Sequence, residues 1–501
     1  MKINRTFLFL LVVSCFIFPA GAQDAPAELD AMIREGMADW EVPGLITAVV
    51  KDGEVQFAQA YGVRNRESGA PVNGQTLFTM ASTTKAVVCM GLGILVDRGQ
   101  LAWDDPVSKH LPAFDLSDPY IRGEARVQDL LTHNLGIASA DLLWVLDSVS
   151  AGKTLERFAL AEKAYPIRGG FQYNNLMYAA AGAVIESVSG KPWTQFIDEE
   201  ILGPLEMTRT QTRSASLPGV GNFVTPYEKL PGGDLVTAPY WFSDQIGSAG
   251  MMWTCLDDIQ NYLIMLTQDG EYKGKRLLSP ETFDYLFKPH AFVTESEFYP
   301  TQELTQPHWR TYGLGWFQHD YAGEKLDFHT GSLPGLSAIA GIMRDRKTAV
   351  YVLANLDHAE LRHAILYKAM DLWALDAGGR NWHDEVFALY SGLREKGEKA
   401  EADLVAGRIA GTSPSLPLSA YAGTYHHPMV GTARVRVSDG SLLLEFNEFA
   451  EFRLEHWHYD TFRSDLKNRT LTRLMVPFKL GADGKPESLE ALGNTFKKSP
   501  E

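Results

Sequence analysis

Two segments, each with strand-like runs on both sides of a polar turn, constrain the fold more than any other feature of the sequence. The first covers residues 44–63 and is centred on the turn KDGE, and the second covers residues 337–354 and is centred on the turn RDRK. Each pattern predicts a β-hairpin. Between them lie helical, apolar runs at residues 84–98 and 178–189, which end at Gly99 and Gly190. We therefore expect one sheet that is built from distant segments and covered by helices.

The composition changes after about residue 380. Residues 383–408 are charged and helix-prone, and the sequence GTSP at 411–414 is typical of a linker. Beyond it, short alternating runs at residues 433–437, 442–446 and 471–477 are separated by Asp-Gly turns. These runs predict a small all-β module, which we expect to be a barrel.

The N-terminus has the features of an export signal. Two cations within the first five residues precede an apolar run that ends at Phe18, and small residues follow up to Ala22. This order predicts a secretory signal that is cleaved after Ala22, and hence a periplasmic or secreted protein. The run is shorter than the ~20 apolar residues of a spanning helix. The alternative is a lipoprotein, which would contact a membrane only if Cys15 were lipidated; the apolar residues 16–18 disfavour it.

These boundaries divide the chain into four parts. They are a signal segment (1–22), a main domain (23–380), a helical linker (381–412) and a β-module (413–501).

Charge and cysteine content exclude several classes of protein. Lys and Arg number 46 against 62 Asp and Glu, and the net charge of −16 argues against nucleic acid or an anionic membrane as a partner. Removal of the signal leaves Cys89 and Cys255, both in apolar runs, which predicts two buried thiols; one disulfide is the alternative. No cysteine spacing suggests a zinc site.

The motif STTK at residues 82–85 opens the first long apolar helix. Positions i and i+3 share a helix face, so the Ser82 hydroxyl and the Lys85 amine can meet. A serine hydroxyl needs such a neighbouring base to act as a nucleophile. The same Ser-x-x-Lys pattern also occurs at Ser150 and Ser464, but only the Ser82 copy begins a strongly apolar helix.

Two further motifs contain polar side chains that could take part in catalysis or substrate binding. Tyr173 and Asn175 form the only Tyr-x-Asn among 19 tyrosines. A tyrosine near cations could move a proton as tyrosinate, and the amide could hold a substrate carbonyl; the alternative is a packed tyrosine and a helix cap. In the motif HTGS at 329–332, Gly331 would let a substrate approach a strand edge, and the next N–H could face an oxyanion. His329 alone would be typical of a structural histidine.

Taken in this order, the three motifs resemble the penicillin-recognising serine hydrolases. That family includes class C β-lactamases, D-alanyl-D-alanine carboxypeptidases and related esterases and D-aminopeptidases, and it carries Ser-x-x-Lys, Tyr-x-Asn and then Lys-Thr-Gly or His-Thr-Gly. Other strings that resemble it are DLLTHNLG (129–136), GPLEMT (203–208), GSAGM (247–251) and YGLGW (312–316).

The resemblance covers about residues 26–375, and it implies an α+β transpeptidase-like domain, with an antiparallel sheet flanked by helices and a helical subdomain. In the tail, YAGTY (421–425) and HWHYD (456–460) resemble the lipocalin-like C-terminal module of some of these hydrolases. The resemblance thus adds a small β-barrel after the main domain.

The resemblance also implies covalent acyl transfer without a cofactor. The implied roles are nucleophile for Ser82, proton transfer for Lys85 and Tyr173, substrate binding for Asn175, His329, Thr330 and Gly331, and oxyanion binding for the backbone N–H groups of Ser82 and Ser332. His329 stands where β-lactamases carry lysine. Because histidine titrates near pH 6.5, we expect activity to follow its protonation, and we favour the esterase and aminopeptidase side of the family.

The sequence therefore predicts an exported serine hydrolase acting on amides or esters, with peptides that contain D-amino acids as the first guess. The alternatives are a β-lactamase or carboxypeptidase, and a non-catalytic penicillin-binding sensor that is acylated without turnover. The partners we expect are a small-molecule or peptide substrate and a second copy of the chain, bound through the C-terminal module. Histidines at 426–427 and at 456 and 458 lack an evident third ligand, so we predict no metal site.

Overall fold

The computed structural model describes residues 25–230, 233–239, 244–465 and 473–500. The expected signal segment, including Cys15, lies outside these residues. Within them, every helix is too short or too polar to cross a bilayer.

The described residues form 23 strands. They are β1 (Gly44–Lys51), β2 (Glu54–Asn65), β3 (Ala70–Pro71), β4 (Phe78–Thr79), β5 (Tyr227–Lys229), β6 (Leu235–Thr237), β7 (Trp253–Thr254), β8 (Glu271–Tyr272), β9 (Lys275–Arg276), β10 (Ala291–Phe292), β11 (Arg310–Tyr312), β12 (Phe317–Tyr321), β13 (Glu324–Leu333), β14 (Leu336–Met343), β15 (Thr348–Ala354), β16 (Gly423–His427), β17 (Gly431–Ser438), β18 (Ser441–Phe446), β19 (Ala450–His458), β20 (Thr461–Ser464), β21 (Met475–Leu480), β22 (Pro486–Ala491) and β23 (Asn494–Lys498).

The same residues form 16 α-helices. They are α1 (Ala25–Trp40), α2 (Thr84–Asp97), α3 (Val107–His110), α4 (Pro119–Glu124), α5 (Leu142–Val145), α6 (Ala151–Phe158), α7 (Asn175–Ser189), α8 (Trp193–Ile197), α9 (Leu217–Val220), α10 (Gly247–Gly250), α11 (Leu256–Thr267), α12 (Pro280–Leu286), α13 (Gln302–Thr305), α14 (Leu361–Ala369), α15 (Trp382–Ala406) and α16 (Leu418–Tyr421).

A nine-stranded sheet forms the middle layer of the main domain, in the order β10-β11-β12-β13-β14-β15-β1-β2-β3. The two hairpins expected from the sequence are β1–β2 and β14–β15, and they join because β1 pairs antiparallel with β15, with Leu45 opposite Ala354. Residues along β1 alternate between two apolar cores: Ile46 and Ala48 belong to the core with α2, α7 and α11, and Leu45 and Val49 to the core with α1 and α14. The expected α+β organisation is confirmed.

Local capping sets where the two central helices start and end. The expected start of α7 at Tyr178 is wrong: the helix begins at Asn175, because the Asn174 side chain accepts a hydrogen bond from Leu176 N–H at 3.1 Å. At its other end Gly190 adopts φ 71°, which only glycine adopts freely. Gly99, at φ 67°, follows α2 in the same way.

The tail contains the expected barrel. Strands β16 to β23 close into an eight-stranded barrel around an apolar core. The expected run at 471–477 appears as β21, which begins only at Met475; residues 471–472 lie outside the described ranges. The charged stretch before the barrel is the single helix α15, whose Trp382 stacks on Tyr367 at 4.6 Å. The domain boundaries themselves stay predictions.

The barrel packs directly on the main domain. Its apolar core includes Val145 and Leu146 from the segment that contains α5. Asn447, just after β18, donates a hydrogen bond from Nδ2 to the Leu146 carbonyl at 3.2 Å. The two thiols, Cys89 and Cys255, are buried and free, as expected.

Candidate active site

Ser82 lies in a strained turn at the start of α2. The 3₁₀ turn Ala81–Thr83 leads into the helix, and Ala81 has φ 44°, a conformation that costs free energy for a residue with a Cβ. The turn is held by a hydrogen bond from Ala81 N–H to Thr79 Oγ1 at 3.0 Å. Surrounding structure therefore determines the position of the Ser82 side chain.

Lys85, one turn into α2, is enclosed by three polar atoms. Its Nζ lies 3.1 Å from Ser82 Oγ, 2.8 Å from Asn175 Oδ1 and 2.6 Å from the Ala249 carbonyl oxygen. The side chain is fully buried, and this burial lowers the pKa of Lys85 to about 7, although Asp141 opposes the change. Near neutral pH, a large share of the molecules therefore carries an uncharged amine beside the Ser82 hydroxyl.

Tyr173 lies on the other side of the lysine. Its ring centroid is 4.9 Å from Lys85 Nζ, and the His133 ring packs on it at 4.3 Å. Within the described part of the chain, its buried hydroxyl has no hydrogen bond of acceptable geometry. Burial raises the pKa of Tyr173 well above its ordinary value, while the nearby Ser82 hydroxyl acts in the opposite direction. The neutral phenol is therefore the stable form, which contradicts the tyrosinate hypothesis.

The HTGS motif lies at the end of β13, against the Ser82 turn. A Cβ added to Gly331 would lie 2.7 Å from the Met80 carbonyl oxygen and 2.8 Å from the Ser82 nitrogen, so only glycine fits. Thr330 Oγ1 and the Tyr299 hydroxyl are hydrogen-bonded at 2.6 Å. Together, these contacts bring the backbone of β13 next to the candidate nucleophile.

His329 is buried and neutral. Its Nδ1 donates to the Thr330 carbonyl at 2.5 Å, so its Nε2 accepts from the Tyr312 hydroxyl at 3.0 Å. Burial and the nearby Lys85 lower the pKa of His329 to about 3. The expectation that this histidine titrates near pH 6.5 is therefore wrong, because it assumed an exposed imidazole.

The other two Ser-x-x-Lys copies have structural contacts. Ser150 caps α6 by accepting a hydrogen bond from Lys153 N–H at 3.5 Å. Ser464 ends β20 and accepts from Leu474 N–H at 2.8 Å, while Lys467 lies outside the described residues. Among the described residues of these three copies, a lysine amine lies next to the hydroxyl of Ser82 alone.

The histidine pairs of the barrel make ordinary local contacts. His456 Nε2 donates to the Tyr459 carbonyl at 2.9 Å, and His427 Nδ1 accepts from Val430 N–H at 3.1 Å. In the described ranges, no three His, Cys, Asp or Glu side chains are grouped to hold a metal ion.

Sequence reasoning missed two charged residues next to the site. Asp141 Oδ2 accepts a hydrogen bond from Asn175 Nδ2 at 3.0 Å. Arg362 donates to the Gly331 carbonyl at 2.6 Å and to Ser332 Oγ at 3.0 Å. Both residues come from segments without a recognisable motif, so no signal in the sequence pointed to them.

Two glycines in the strings GSAGM and YGLGW also contact the site. A Cβ on Gly250 would lie 3.2 Å from the Ala81 carbonyl carbon, and one on Gly315 would lie 2.9 Å from the Ala86 nitrogen. Both glycines therefore permit close packing against the start of α2.

Comparison with known proteins covers both parts of the chain. Residues 407–498 match a family described as Domain of unknown function (DUF3471). Protein flp from Staphylococcus aureus (strain COL) is 25% identical over 339 residues, which are 67% of this chain and 64% of that protein. Esterase EstB from Burkholderia gladioli is 31% identical over 209 residues, which are 38% of this chain and 52% of that protein. The chain thus spans less than two thirds of the length of either relative.

Solved structures show the same fold over nearly the whole chain. The octameric penicillin-binding protein homologue from Pyrococcus abyssi has a TM-score of 0.62 at 23% identity, covering 94% of this chain and 99% of that one. The crystal structure of SurE has a TM-score of 0.57 at 21% identity, covering 95% of this chain and 99% of that one. Residues 29–372 match the family described as Beta-lactamase; this match covers more than half of the chain, which therefore belongs to that family.

Proposed function

We propose that this chain is a serine hydrolase that forms an acyl-enzyme at Ser82 and acts on amides or esters. The observation that carries the proposal is the Lys85 amine, buried 3.1 Å from Ser82 Oγ with its pKa lowered to about 7. A neutral amine has two N–H groups and a lone pair. It can donate to Asn175 and to the Ala249 carbonyl while its lone pair accepts the Ser82 proton.

Acylation then follows from the positions of these groups. Ser82 Oγ bonds to the substrate carbonyl carbon while its proton passes to Lys85. The Tyr173 phenol donates a proton to the leaving nitrogen or oxygen as the bond to the carbonyl carbon breaks, and it recovers a proton from Lys85. Backbone N–H groups of Ser82 and Ser332 hold the oxyanion, a type of contact that is typically worth ~10²–10³ in rate per donor. Water releases the acyl group in a second step.

The substrate side of the site favours neutral groups over carboxylates. A lysine at position 329 would supply a permanent cation for a substrate carboxylate, whereas His329 stays neutral because its pKa is lowered to about 3. The nearby Arg362 is ion-paired with Glu360 at 2.9 Å. We therefore propose esters and amides, with D-amino-acid amides and peptides first, contacted by Asn175, Thr330 and Gly331. The structural likeness to SurE, which was also solved with D-Leu, supports this choice.

A substrate panel tests the proposal. Purified protein and Ser82→Ala are compared on D-alanine amide, a p-nitrophenyl ester and nitrocefin. We expect ester or amide hydrolysis that disappears in Ser82→Ala. Turnover of nitrocefin alone would support the β-lactamase alternative, and activity that survives in Ser82→Ala would overturn the assignment of the nucleophile.

A pulse experiment separates an enzyme from a sensor. Protein is mixed briefly with a penicillin or a p-nitrophenyl ester, and the mass of the peptide that contains Ser82 is followed over time. We expect the acyl group to be lost within the turnover time. A permanently acylated Ser82 would support the non-catalytic sensor.

We further propose that the chain is exported and self-associates. Cleavage after Ala22 would give a mature N-terminus at Gln23, which N-terminal sequencing of secreted protein can test. The octameric assembly of the Pyrococcus abyssi homologue supports a homo-oligomer, and light scattering on purified protein measures its size.

A further inference from the structure

Asp141 orients the amide that contacts Lys85. Its Oδ2 accepts from Asn175 Nδ2 at 3.0 Å, and its Oδ1 accepts from Trp144 Nε1 at 3.0 Å. An ionised carboxylate can only accept, so it selects the amide orientation in which Nδ2 points to Asp141 and Oδ1 points to Lys85 Nζ, 2.8 Å away. If the Asn175 amide were rotated by half a turn, its Nδ2 donor would face the N–H groups of Lys85, and its Oδ1 would face the Asp141 carboxylate.

The residues that follow Asp141 are held by the C-terminal barrel. We call residues 141–147 the Asp141 segment; it contains α5. Val145 and Leu146 are buried in the apolar core of the barrel, and Asn447 Nδ2 donates to the Leu146 carbonyl at 3.2 Å. Trp144, which donates to Asp141, also packs against this core. A continuous set of contacts therefore runs from the barrel to the candidate base.

We propose that Asp141 is a positioning residue of the active site and that the C-terminal barrel holds it in place through the Asp141 segment. The inference rests on the proposed function, because it assigns a role relative to Lys85 as the base. It gives the DUF3471 module a defined task, which is to support the geometry of a site in the other domain.

The electrostatic part of this role concerns the charge on Lys85. Asp141 raises the pKa of Lys85, against the larger effect of burial. The other titratable groups that surround this lysine are Cys89, Tyr173, Tyr178, His133 and His329. Burial raises the pKa of the thiol and of both phenols and lowers that of both imidazoles, so these groups stay uncharged at neutral pH. Burial also raises the pKa of Asp141, while the hydrogen bonds from Trp144 and Asn175 and the nearby Lys85 act in the opposite direction. When ionised, Asp141 is the neighbour whose charge raises the pKa of Lys85.

The first test measures the rate at which a fluorophosphonate modifies Ser82, as a function of pH. Asp141→Asn keeps a hydrogen-bond acceptor but removes the charge, so the acid limb of the profile should move about one pH unit lower. Asp141→Leu also removes the acceptor, and its maximal rate should fall at least about tenfold. A merely structural role would lower the folded fraction without moving the limb. An unmoved limb in Asp141→Asn would overturn the proposal.

The second test links the barrel to Asp141 by a double-mutant cycle. Asn447→Ala removes the bond to the Leu146 carbonyl together with two bonds inside the barrel, to Val430 and Thr432. It should lower the labelling rate about threefold to tenfold, but by less than about twofold when Asp141→Leu is already present. Val437→Ala, on an exposed side chain of the barrel, is the matched control and should leave the rate unchanged. Effects that simply multiply would show that the barrel does not act through Asp141.

A third variant keeps the test open if Asn447→Ala does not fold. Trp144→Phe retains the aromatic packing but loses the Nε1 donor to Asp141, and it should lower the labelling rate in the same non-additive way. Wild-type protein that is never labelled at Ser82 contradicts the proposed function and this inference together. Labelled wild-type protein with unchanged variants contradicts this inference alone.

Discussion

The rate of ester hydrolysis should fall as the pH drops below about 7, because Lys85 must be neutral to accept the Ser82 proton. Burial lowers the pKa of Lys85 from 10.5 to about 7. At pH 7 about half of the molecules then carry the neutral amine, whereas an ordinary lysine would be neutral in about one molecule in 3000. The buried position therefore raises the competent fraction about a thousandfold.

The direction of the pH effect follows from protonation. Below the pKa of Lys85, each further pH unit lowers the neutral fraction about tenfold, so kcat/KM near pH 5 should be about one hundredth of its plateau. The assay is release of p-nitrophenol from an ester, read at a wavelength where its two ionisation states absorb equally. Ser82→Ala sets the background.

His329→Gln decides which residue produces the acid limb. The pKa of His329 is lowered to about 3, so this histidine is already neutral throughout the range and its replacement should leave the limb near pH 7. A flat profile, or a limb that disappears in His329→Gln, would refute the assignment of Lys85 as the base.

Three other substitutions test separate parts of the structure. Gly331→Ala forces a Cβ to within 2.8 Å of the Ser82 nitrogen, so acylation should fall at least about a hundredfold and the unfolding temperature should also fall. Activity within tenfold of wild type would contradict the close approach. Arg362→Met removes the ion-pair partner of the buried Glu360 and should lower the free energy of unfolding by about 3–5 kcal/mol in chemical denaturation. Adding Glu360→Gln should restore part of this loss, and a loss below about 1 kcal/mol would contradict the prediction. Ser150→Ala removes a helix cap and should cost about 1 kcal/mol of stability with unchanged hydrolysis, and lost activity would contradict its structural assignment.

Features that depend on neighbours in the sequence were predictable. The turns KDGE and RDRK, each between two strand-like runs, located β1–β2 and β14–β15. Strands β1, β14 and β15 are apolar along nearly their whole length because successive residues face the two cores on either side of the sheet. The apolar run after Ser82 located α2. The start of α7 was placed three residues too late, although Leu176 and Met177 are already apolar and buried and Asn174 caps the helix.

The sequence by itself determined the residue types of the candidate site and their order, Ser82 with Lys85, then Tyr173, then the glycine of β13. It could not determine their charge states, because desolvation and Coulomb interactions depend on what surrounds each group in space. Only the tertiary structure decided that His329 is buried and neutral. It also decided that Asp141, from a segment held by the barrel, lies next to Asn175. The surrounding groups come from segments far apart in the chain, and it is folding that encloses Lys85 among them.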